Sequence, residues 1–157
     1  MLNSYKSYID LIALVEQLHR RFLDLVKLEI DRQGIYDINN VQALMLFNIG
    51  DAEMSVGDLT ARGCYLGSNV SYNVKKLAEH GYIAQVRSAY DRRSVHVRLT
   101  KKGLNLRDRL QGMHHRHVEM LNQTAIITED NLQATTATLR QLERQWISVS
   151  EPHIAAA

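Results

Sequence analysis

The chain has 157 residues, of which 45% are hydrophobic and 23% are charged. This composition allows a buried core. It differs from that of disordered chains, which have too few hydrophobic residues to form one. The formal net charge is only +2, but the segment from Arg62 to Gly103 carries nine basic and two acidic residues, whereas the rest is acidic overall. A basic segment between acidic flanks is typical of a region that meets a polyanion such as DNA.

Cys64 is the only cysteine, so the chain cannot form an internal disulfide. The first residues lack the basic and then apolar pattern of a secretory signal, and no apolar run reaches the roughly 20 residues that span a bilayer. The chain also lacks the motifs of serine hydrolases, phosphate-loop proteins, metalloproteases and dinucleotide-binding enzymes. We therefore expect a cytoplasmic protein that is not an enzyme, has no cofactor and does not contact membranes.

The N-terminal part is predicted to form two helices. The segment from Ser4 to Gln33 has no glycine or proline, and its apolar residues recur at alternating steps of three and four, which is typical of a helix with one apolar face. These residues are Tyr8, Leu11, Val15, Leu18, Phe22 and Leu25. Gly34 can end this helix, and Asn39 or Asn40 can cap the next one.

The middle of the chain predicts a helix, a turn and a second helix. Ser55 and Asp58 have the spacing of a capping box at the start of a short helix. A glycine-containing loop follows, after which Ser68 or Asn69 can cap a helix over residues 70–80. The predicted inward face of this second helix holds Val70, Val74 and Leu77.

Two strands are predicted next, over residues 82–88 and 95–99. Apolar and polar residues alternate in the second strand, which indicates one buried and one exposed face. The link between them is short and charged, so the two strands form a hairpin. Thr100 can cap the helix that follows, and the last helix is predicted to begin near Thr128.

This order of a short helix, a turn, a capped helix and a basic hairpin predicts a winged helix-turn-helix. The expected fold class is mainly α with a small β-hairpin wing. We assign residues 37–103 to the DNA-binding lobe and residues 1–36 and 104–157 to a helical dimerisation region. The terminal helices are assigned to dimerisation because their apolar faces are longer than the lobe can cover.

The second helix of the lobe has the length to enter the major groove of B-DNA. It offers short or flat polar side chains for base edges and lysines for phosphates, and the hairpin tip offers arginines for a minor groove. The predicted DNA-contacting residues are Ser68, Asn69, Ser71, Tyr72, Asn73, Lys75, Lys76, Arg92 and Arg93. Lys101 and Lys102 begin the next helix, where cations are unfavourable, so they are either further phosphate contacts or solvated charges.

The hairpin and the residues after it share one further pattern. The sequence runs through Asp91-Arg92-Arg93-Ser94, the strand Val95 to Leu99, and Thr100-Lys101-Lys102-Gly103. This order of Asp-x-Arg, a strand and Leu-Thr-x-x-Gly resembles the wing signature of the MarR family of bacterial regulators. The resemblance covers essentially the whole chain, including the long terminal helices.

The resemblance implies a homodimer that binds a pseudo-palindromic operator on double-stranded DNA. It implies a repressor, or sometimes an activator, that responds to a small-molecule ligand or to thiol oxidation. By position, Arg93 matches the wing arginine that contacts DNA, and Asp91 matches the acid that helps to hold the wing. Tyr72 departs from the family, which commonly has arginine there, so base preference does not transfer from relatives.

Three alternatives concern what the regulator would sense. Cys64 could be a redox switch, although a lone cysteine is more often a buried apolar residue. His114 and His117 share a helix face and could bind zinc, but a packing or surface role is favoured and no metal site is assigned. A ligand pocket is expected where three helices converge, and residues that could line it or be plain core are Phe22, Met45, Phe47 and Met113.

A different class of function also stays open. The winged lobe could dock a partner protein without specific DNA binding, and the charges of the wing would then be incidental. The basic excess of the lobe argues against this alternative.

Overall fold

The computed structural model describes residues 2–63, 67–87, 95–124 and 126–150. In chain order, the elements are α1 (Leu2–Arg32), α2 (Asn40–Ile49), β1 (Met54–Ser55), α3 (Val56–Gly63), α4 (Gly67–Glu79), β2 (Ile83–Arg87), β3 (Val95–Leu99), α5 (Lys101–Thr124) and α6 (Glu129–Ser150). The predicted fold class, mainly helical with a small antiparallel sheet and a winged helix-turn-helix, is confirmed. None of the helices in the described ranges combines the length and apolarity that a membrane span requires.

The start of α2 agrees with the predicted cap. The side-chain oxygen of Asn39 accepts a hydrogen bond from the Gln42 backbone N–H at 2.8 Å, and the Gln42 side-chain oxygen accepts one from the Asn39 backbone N–H at 3.0 Å. This reciprocal pair is a capping box. The preceding helix α1 ends two residues before Gly34, whose φ of 69° suits glycine.

The sheet has the strand order β1-β3-β2, and both pairs are antiparallel. Strands β2 and β3 form the predicted hairpin, with Ile83 opposite Leu99. Strand β1 was not predicted, because two residues carry no periodic signal and the strand exists only through pairing with β3. Its last residue, Ser55, still caps α3 as predicted, since its hydroxyl oxygen accepts from the Asp58 backbone N–H at 3.0 Å.

The chain divides into two compact units, residues 1–113 and 114–157. The first unit contains the winged lobe and a continuous apolar core. Members of this core come from the end of α1, from the lobe and from the start of α5. They include Val26, Ile30, Met45, Leu46, Leu59, Val70, Leu77, Val97, Leu106 and Leu110. The N-terminal part of α1 leaves its apolar stripe exposed, with Leu18 at 58%.

The second unit holds the end of α5 and all of α6. The last helix begins near Thr128 as predicted, and the Thr128 hydroxyl oxygen accepts from the Asn131 backbone N–H at 3.2 Å. Many apolar side chains of this unit are exposed in the single chain. They include Val118, Met120, Ile126, Leu132, Trp146, Ile147 and Val149.

Candidate nucleic-acid interface

Helix α4 has one face in the core and one face in solvent. Val70, Val74 and Leu77 are buried, which confirms the predicted inward face. The opposite face carries polar and aromatic side chains that are exposed: Asn69, Ser71, Tyr72 and Lys75. Tyr72 is 61% exposed, so its ring is available to a partner. Ser68 lies in the first turn of α4, but its side chain falls outside the described part of the chain.

Asn73 corrects the predicted set of DNA-contacting residues. Its side chain is only 8% exposed, and its Oδ1 accepts a hydrogen bond at 3.0 Å from Nε2 of Gln42, which is also buried. Position 73 lies three residues after Val70 and four before Leu77, on the same face of the helix. The spacing thus contained the signal for burial, and the side chain points toward α2 rather than outward.

The two lysines near the end of α4 share one carboxylate. Lys76 Nζ lies 2.8 Å from Glu79, and Lys75 Nζ lies 3.9 Å from it. The hydrogen bond that Lys76 donates to Glu79 raises the pKa of Lys76, and both side chains stay on the surface. Because Glu79 already pairs with Lys76, contact of that lysine with a phosphate would require exchange of partners, whereas Lys75 is more exposed and more loosely held.

A cluster that we call the Lys102 clasp lies at the C-terminal end of α4. It consists of the ammonium group of Lys102, the carboxylate of Asp37, the ring of Tyr82 and the backbone carbonyl of His80. Lys102 Nζ donates to Asp37 Oδ2 at 2.8 Å and to the His80 carbonyl oxygen at 3.0 Å, and it sits 4.0 Å from the centre of the Tyr82 ring. The Tyr82 hydroxyl donates to Asp37 Oδ1 at 2.8 Å.

The clasp explains why a lysine is tolerated at the start of α5, where a cation is unfavourable. A cation beside the last carbonyl groups of α4 is favourable at that end of a helix, and it offsets the unfavourable position at the start of α5. Lys102 is therefore a structural residue that joins α4, α5 and the loop before α2. Its ammonium group is engaged in these contacts, and about half of the side chain remains in solvent.

The clasp predicts a dependence of stability on pH. Burial alone would raise the pKa of Asp37, but hydrogen bonds from Lys102 and Tyr82 outweigh it and hold the pKa below the ordinary carboxyl value of 3.8. A lowered pKa adds stability above the ordinary value, and the contribution is lost as pH falls through the folded-state pKa. We expect Asp37→Asn to lower the free energy of unfolding at pH 7 by about 1 kcal/mol, a value reduced for partial exposure.

Urea unfolding between pH 3 and pH 7 measures this effect. The difference between Asp37→Asn and the unchanged chain should shrink toward pH 3. Asp24→Asn, which removes an exposed carboxylate on α1, is the matched control for the change in charge. If both variants lose the same free energy of unfolding at pH 7, the clasp does not stabilise the fold.

Gly103 allows α5 to approach the backbone of Tyr82, the residue before β2, closely. A Cβ atom at this position would overlap the backbone carbonyl oxygen of Tyr82 and would lie 3.3 Å from a methyl group of Leu99. The same carbonyl accepts from the Thr100 backbone N–H at 3.0 Å, and the Thr100 hydroxyl accepts from the Gly103 backbone N–H at 3.2 Å. The glycine of the Leu-Thr-x-x-Gly pattern is thus required by the packing of the helix against the strand.

The base of the wing is described, and its tip is not. Strand β3 carries the exposed side chain of Arg98, and Nδ1 of His96 lies 2.9 Å from the Glu53 carboxylate, which fastens β3 to the segment before β1. The predicted wing residues Asp91, Arg92 and Arg93 lie outside the described residues, and so does Cys64.

The residues predicted for a ligand pocket belong to the core or its edge. Met45 and Met113 are buried, and Phe22 and Phe47 are partly buried against them and their neighbours. An open cavity of about 440 Å³ lies elsewhere in the first unit. It is lined by Ile35, Tyr82, Lys101, Lys102, Asn105, Leu106 and Arg109.

The histidines of α5 form no metal centre with other described residues. Across the described ranges, no three His, Cys, Asp or Glu side chains lie close enough together to hold a metal ion. Burial lowers the pKa of His114, and the neighbouring His117 and His115 lower it further. The neutral form of His114 is therefore favoured at neutral pH.

Comparison with known proteins relates this chain and its fold to a family. The family model of the winged helix DNA-binding domain matches residues 38–103. The exopolysaccharide II synthesis transcriptional activator ExpG of Rhizobium meliloti (strain 1021) is 38% identical to this chain over 144 residues, which is 92% of this chain and 74% of ExpG.

Two solved structures share the fold at lower identity. Streptococcus pneumoniae FabT in complex with DNA has a TM-score of 0.71 and 22% identity, and the match covers 91% of this chain and 99% of FabT. Staphylococcus aureus MarR in complex with salicylate and kanamycin has a TM-score of 0.72 and 19% identity, covering 92% of this chain and 94% of that protein. ExpG, the relative with 38% identity, is a transcriptional activator. The chain belongs to the MarR family of winged-helix transcriptional regulators.

Proposed function

We propose that two copies of this chain form a homodimer that reads a pseudo-palindromic operator with its two α4 helices. The observation that carries this proposal is the exposed face of α4, where Asn69, Ser71, Tyr72 and Lys75 are presented by a helix whose opposite face is held in the core. Side chains of this kind reach base edges and phosphates in a major groove.

The proposed DNA contacts follow from exposure and from the resemblance to the family. On α4 they are Ser68, Asn69, Ser71, Tyr72, Lys75 and Lys76. At the tip of the wing they are Arg92 and Arg93, with Asp91 holding the wing. Basic side chains attract the duplex by releasing counterions, and the recognition helix then selects the sequence.

Dimerisation is supported by apolar surface that the single chain leaves exposed. The N-terminal part of α1 has such a stripe, and the second unit has another on α5 and α6. Large exposed apolar surfaces are unfavourable in a monomer and mark sites of association. We assign both stripes to the dimer interface, with α1, α5 and α6 forming the dimerisation region.

A small-molecule effector completes the proposal. It would act only if it binds the DNA-competent and incompetent forms with different affinity. We place it in the cavity lined by Lys101, Lys102 and Arg109. The charges of Lys101 and Arg109 next to the apolar side chain of Leu106 favour an anionic compound with an apolar body, whereas the charge of Lys102 is paired with Asp37. The candidates from the sequence, Phe22, Met45, Phe47 and Met113, pack in or against the core, which agrees with their alternative assignment as core residues.

The sign of regulation follows from the position of the operator. A bound dimer represses when it covers the site of the polymerase and can activate when it lies beside that site. The similar protein ExpG is described as an activator, so we propose activation as well as repression for this chain, with a promoter–reporter assay to distinguish them.

Selection of bound sequences from a random duplex pool tests the proposal. We expect an enriched inverted repeat with half-sites about one helical turn apart. The affinity for that duplex should fall steeply as salt rises, because neutralised phosphates release counterions. A folded dimer that enriches no sequence and binds without dependence on salt would instead favour the protein-docking alternative.

Tyr72→Ala should change the sequence preference without unfolding the lobe, because the ring is mostly exposed. We expect discrimination at the contacted base pair to change by about 1–3 kcal/mol. Repeating the selection with this variant measures the change. Lys75→Ala is the control: as a phosphate contact, it should weaken binding to all sequences alike and make the salt dependence shallower. An unchanged preference in Tyr72→Ala would remove Tyr72 from the base-reading set.

A further inference from the structure

Two buried amides connect α2 with α4. Nε2 of Gln42 donates to Oδ1 of Asn73 at 3.0 Å, and the two side chains are 5% and 8% exposed. Around them, the contact between α4 and the rest of the lobe consists of apolar residues such as Val70, Val74 and Leu77. The Lys102 clasp holds the C-terminal end of α4, whereas the amide pair is a directional bond among the apolar contacts along the middle of the helix.

The orientation of the pair is determined by the backbone. The Asn39 backbone N–H can only donate, and it donates to Oε1 of Gln42 at 3.0 Å. This leaves Nε2 of Gln42 to face Asn73, which must present its oxygen. The capping box of α2 thus fixes which atom of Gln42 reaches the recognition helix.

The same end of α2 is also tied to α1. Nδ2 of Asn40 donates to the Leu23 carbonyl oxygen at 3.0 Å. A series of polar contacts therefore leads from α1, through the first residues of α2, to the middle of α4. Of the helices it joins, α1 belongs to the proposed dimer interface and α4 to the proposed DNA interface.

We propose that the Gln42–Asn73 bond is a positioning contact for DNA recognition, because it sets the rotation of α4 about its own axis. This inference rests on the proposed function. A roll of 20° would move side-chain tips by on the order of 2 Å at the radius of a helix, whereas a functional constellation tolerates about 0.5 Å. Apolar packing resists such a roll through steric fit, and a buried hydrogen bond adds resistance through its geometry and the cost of an unpaired amide.

The test compares variants of Asn73 with a control at the other end of the same glutamine. Asn73→Leu keeps the size of the side chain and removes the acceptor, and Asn73→Asp keeps an oxygen that faces Nε2 of Gln42. The control, Asn39→Ala, removes the cap of α2 and leaves the Gln42–Asn73 bond in place. For each variant, thermal unfolding is measured, together with affinity for the duplex selected by the unchanged chain and for a scrambled duplex of equal composition.

We expect Asn73→Leu to lower the ratio of the two affinities at least tenfold, Asn73→Asp to retain most of it, and Asn39→Ala to keep it within twofold despite lower stability. If Asn73→Leu does not fold, Asn73→Ser provides the comparison, because its hydroxyl is too short to reach Gln42. A ratio within twofold of the unchanged chain, or an equal loss in Asn39→Ala, would overturn the inference.

Failure of this inference and failure of the proposed function are distinguishable. The proposed function fails when the unchanged chain selects no sequence, and the positioning role then falls with it. The inference alone fails when the unchanged chain discriminates between the two duplexes and Asn73→Leu discriminates equally well.

Discussion

Replacing Leu18 with glutamate is expected to dissociate the proposed dimer and to abolish tight binding to the operator. Leu18 lies on the exposed apolar stripe of α1 and is 58% exposed in the single chain. A carboxylate in an apolar interface loses its hydration without gaining a partner, at a cost of about 3 kcal/mol or more. That cost weakens association about 100-fold, and the symmetry of a dimer introduces the carboxylate twice.

Gln17→Glu is the matched control for this experiment. It adds the same charge at the preceding residue, on the polar side of α1 that also carries Arg20 and Asp24. Sedimentation measurements at micromolar concentration should find a monomer for Leu18→Glu and a dimer for Gln17→Glu. A dimeric Leu18→Glu, or equal dissociation of both variants, would contradict the assignment of this stripe to the interface.

Gly103→Ala is expected to lower the free energy of unfolding by about 2–3 kcal/mol, since overpacking of this kind forces a shift of the backbone. The added methyl group would overlap the Tyr82 carbonyl oxygen, which cannot rotate away as a flexible side chain would. Alanine has a higher helix propensity than glycine by about 1 kcal/mol. The expected loss is therefore the net effect of the overlap, which destabilises the fold, and of this propensity, which stabilises it.

Gly57→Ala measures the gain in helix propensity without a steric overlap. Gly57 lies in α3, and a Cβ atom there would meet only the Ser55 hydroxyl, at an ordinary 3.6 Å. We expect this variant to be as stable as the unchanged chain or more stable by up to about 1 kcal/mol. Urea unfolding of both variants provides the comparison. If Gly103→Ala is also neutral, α5 does not need the close approach to the backbone of Tyr82.

Local patterns in the sequence predicted most of the fold. The predicted capping residues Asn39, Ser55 and Thr100 act as expected, and α6 begins near Thr128 as predicted. Each of these signals depends on residues within four positions of one another. Helix α4 begins at Gly67, three residues before the predicted start at Val70, so Ser68 and Asn69 lie in its first turn rather than before it.

The features that position the interface were harder to predict. Asn73 was assigned to the exposed face for its chemistry, although its spacing from Val70 and Leu77 placed it inward. The Lys102 clasp was missed because its members are distant in the sequence and come together only through the fold. Single-residue chemistry suggests what a side chain can bind, whereas its partner depends on tertiary structure.

The Lys102 clasp also bears on how long the lobe stays folded. Asp37 is bonded to Tyr82, 45 residues later, and to Lys102, 65 residues later. Bringing such distant residues together closes long loops, whose entropy cost makes us expect these contacts to form after the transition state for folding. Interactions that are absent from the transition state slow unfolding and leave the folding rate nearly unchanged. The clasp should therefore act mainly on the lifetime of the folded lobe, and so on how long α4 is continuously presented to DNA.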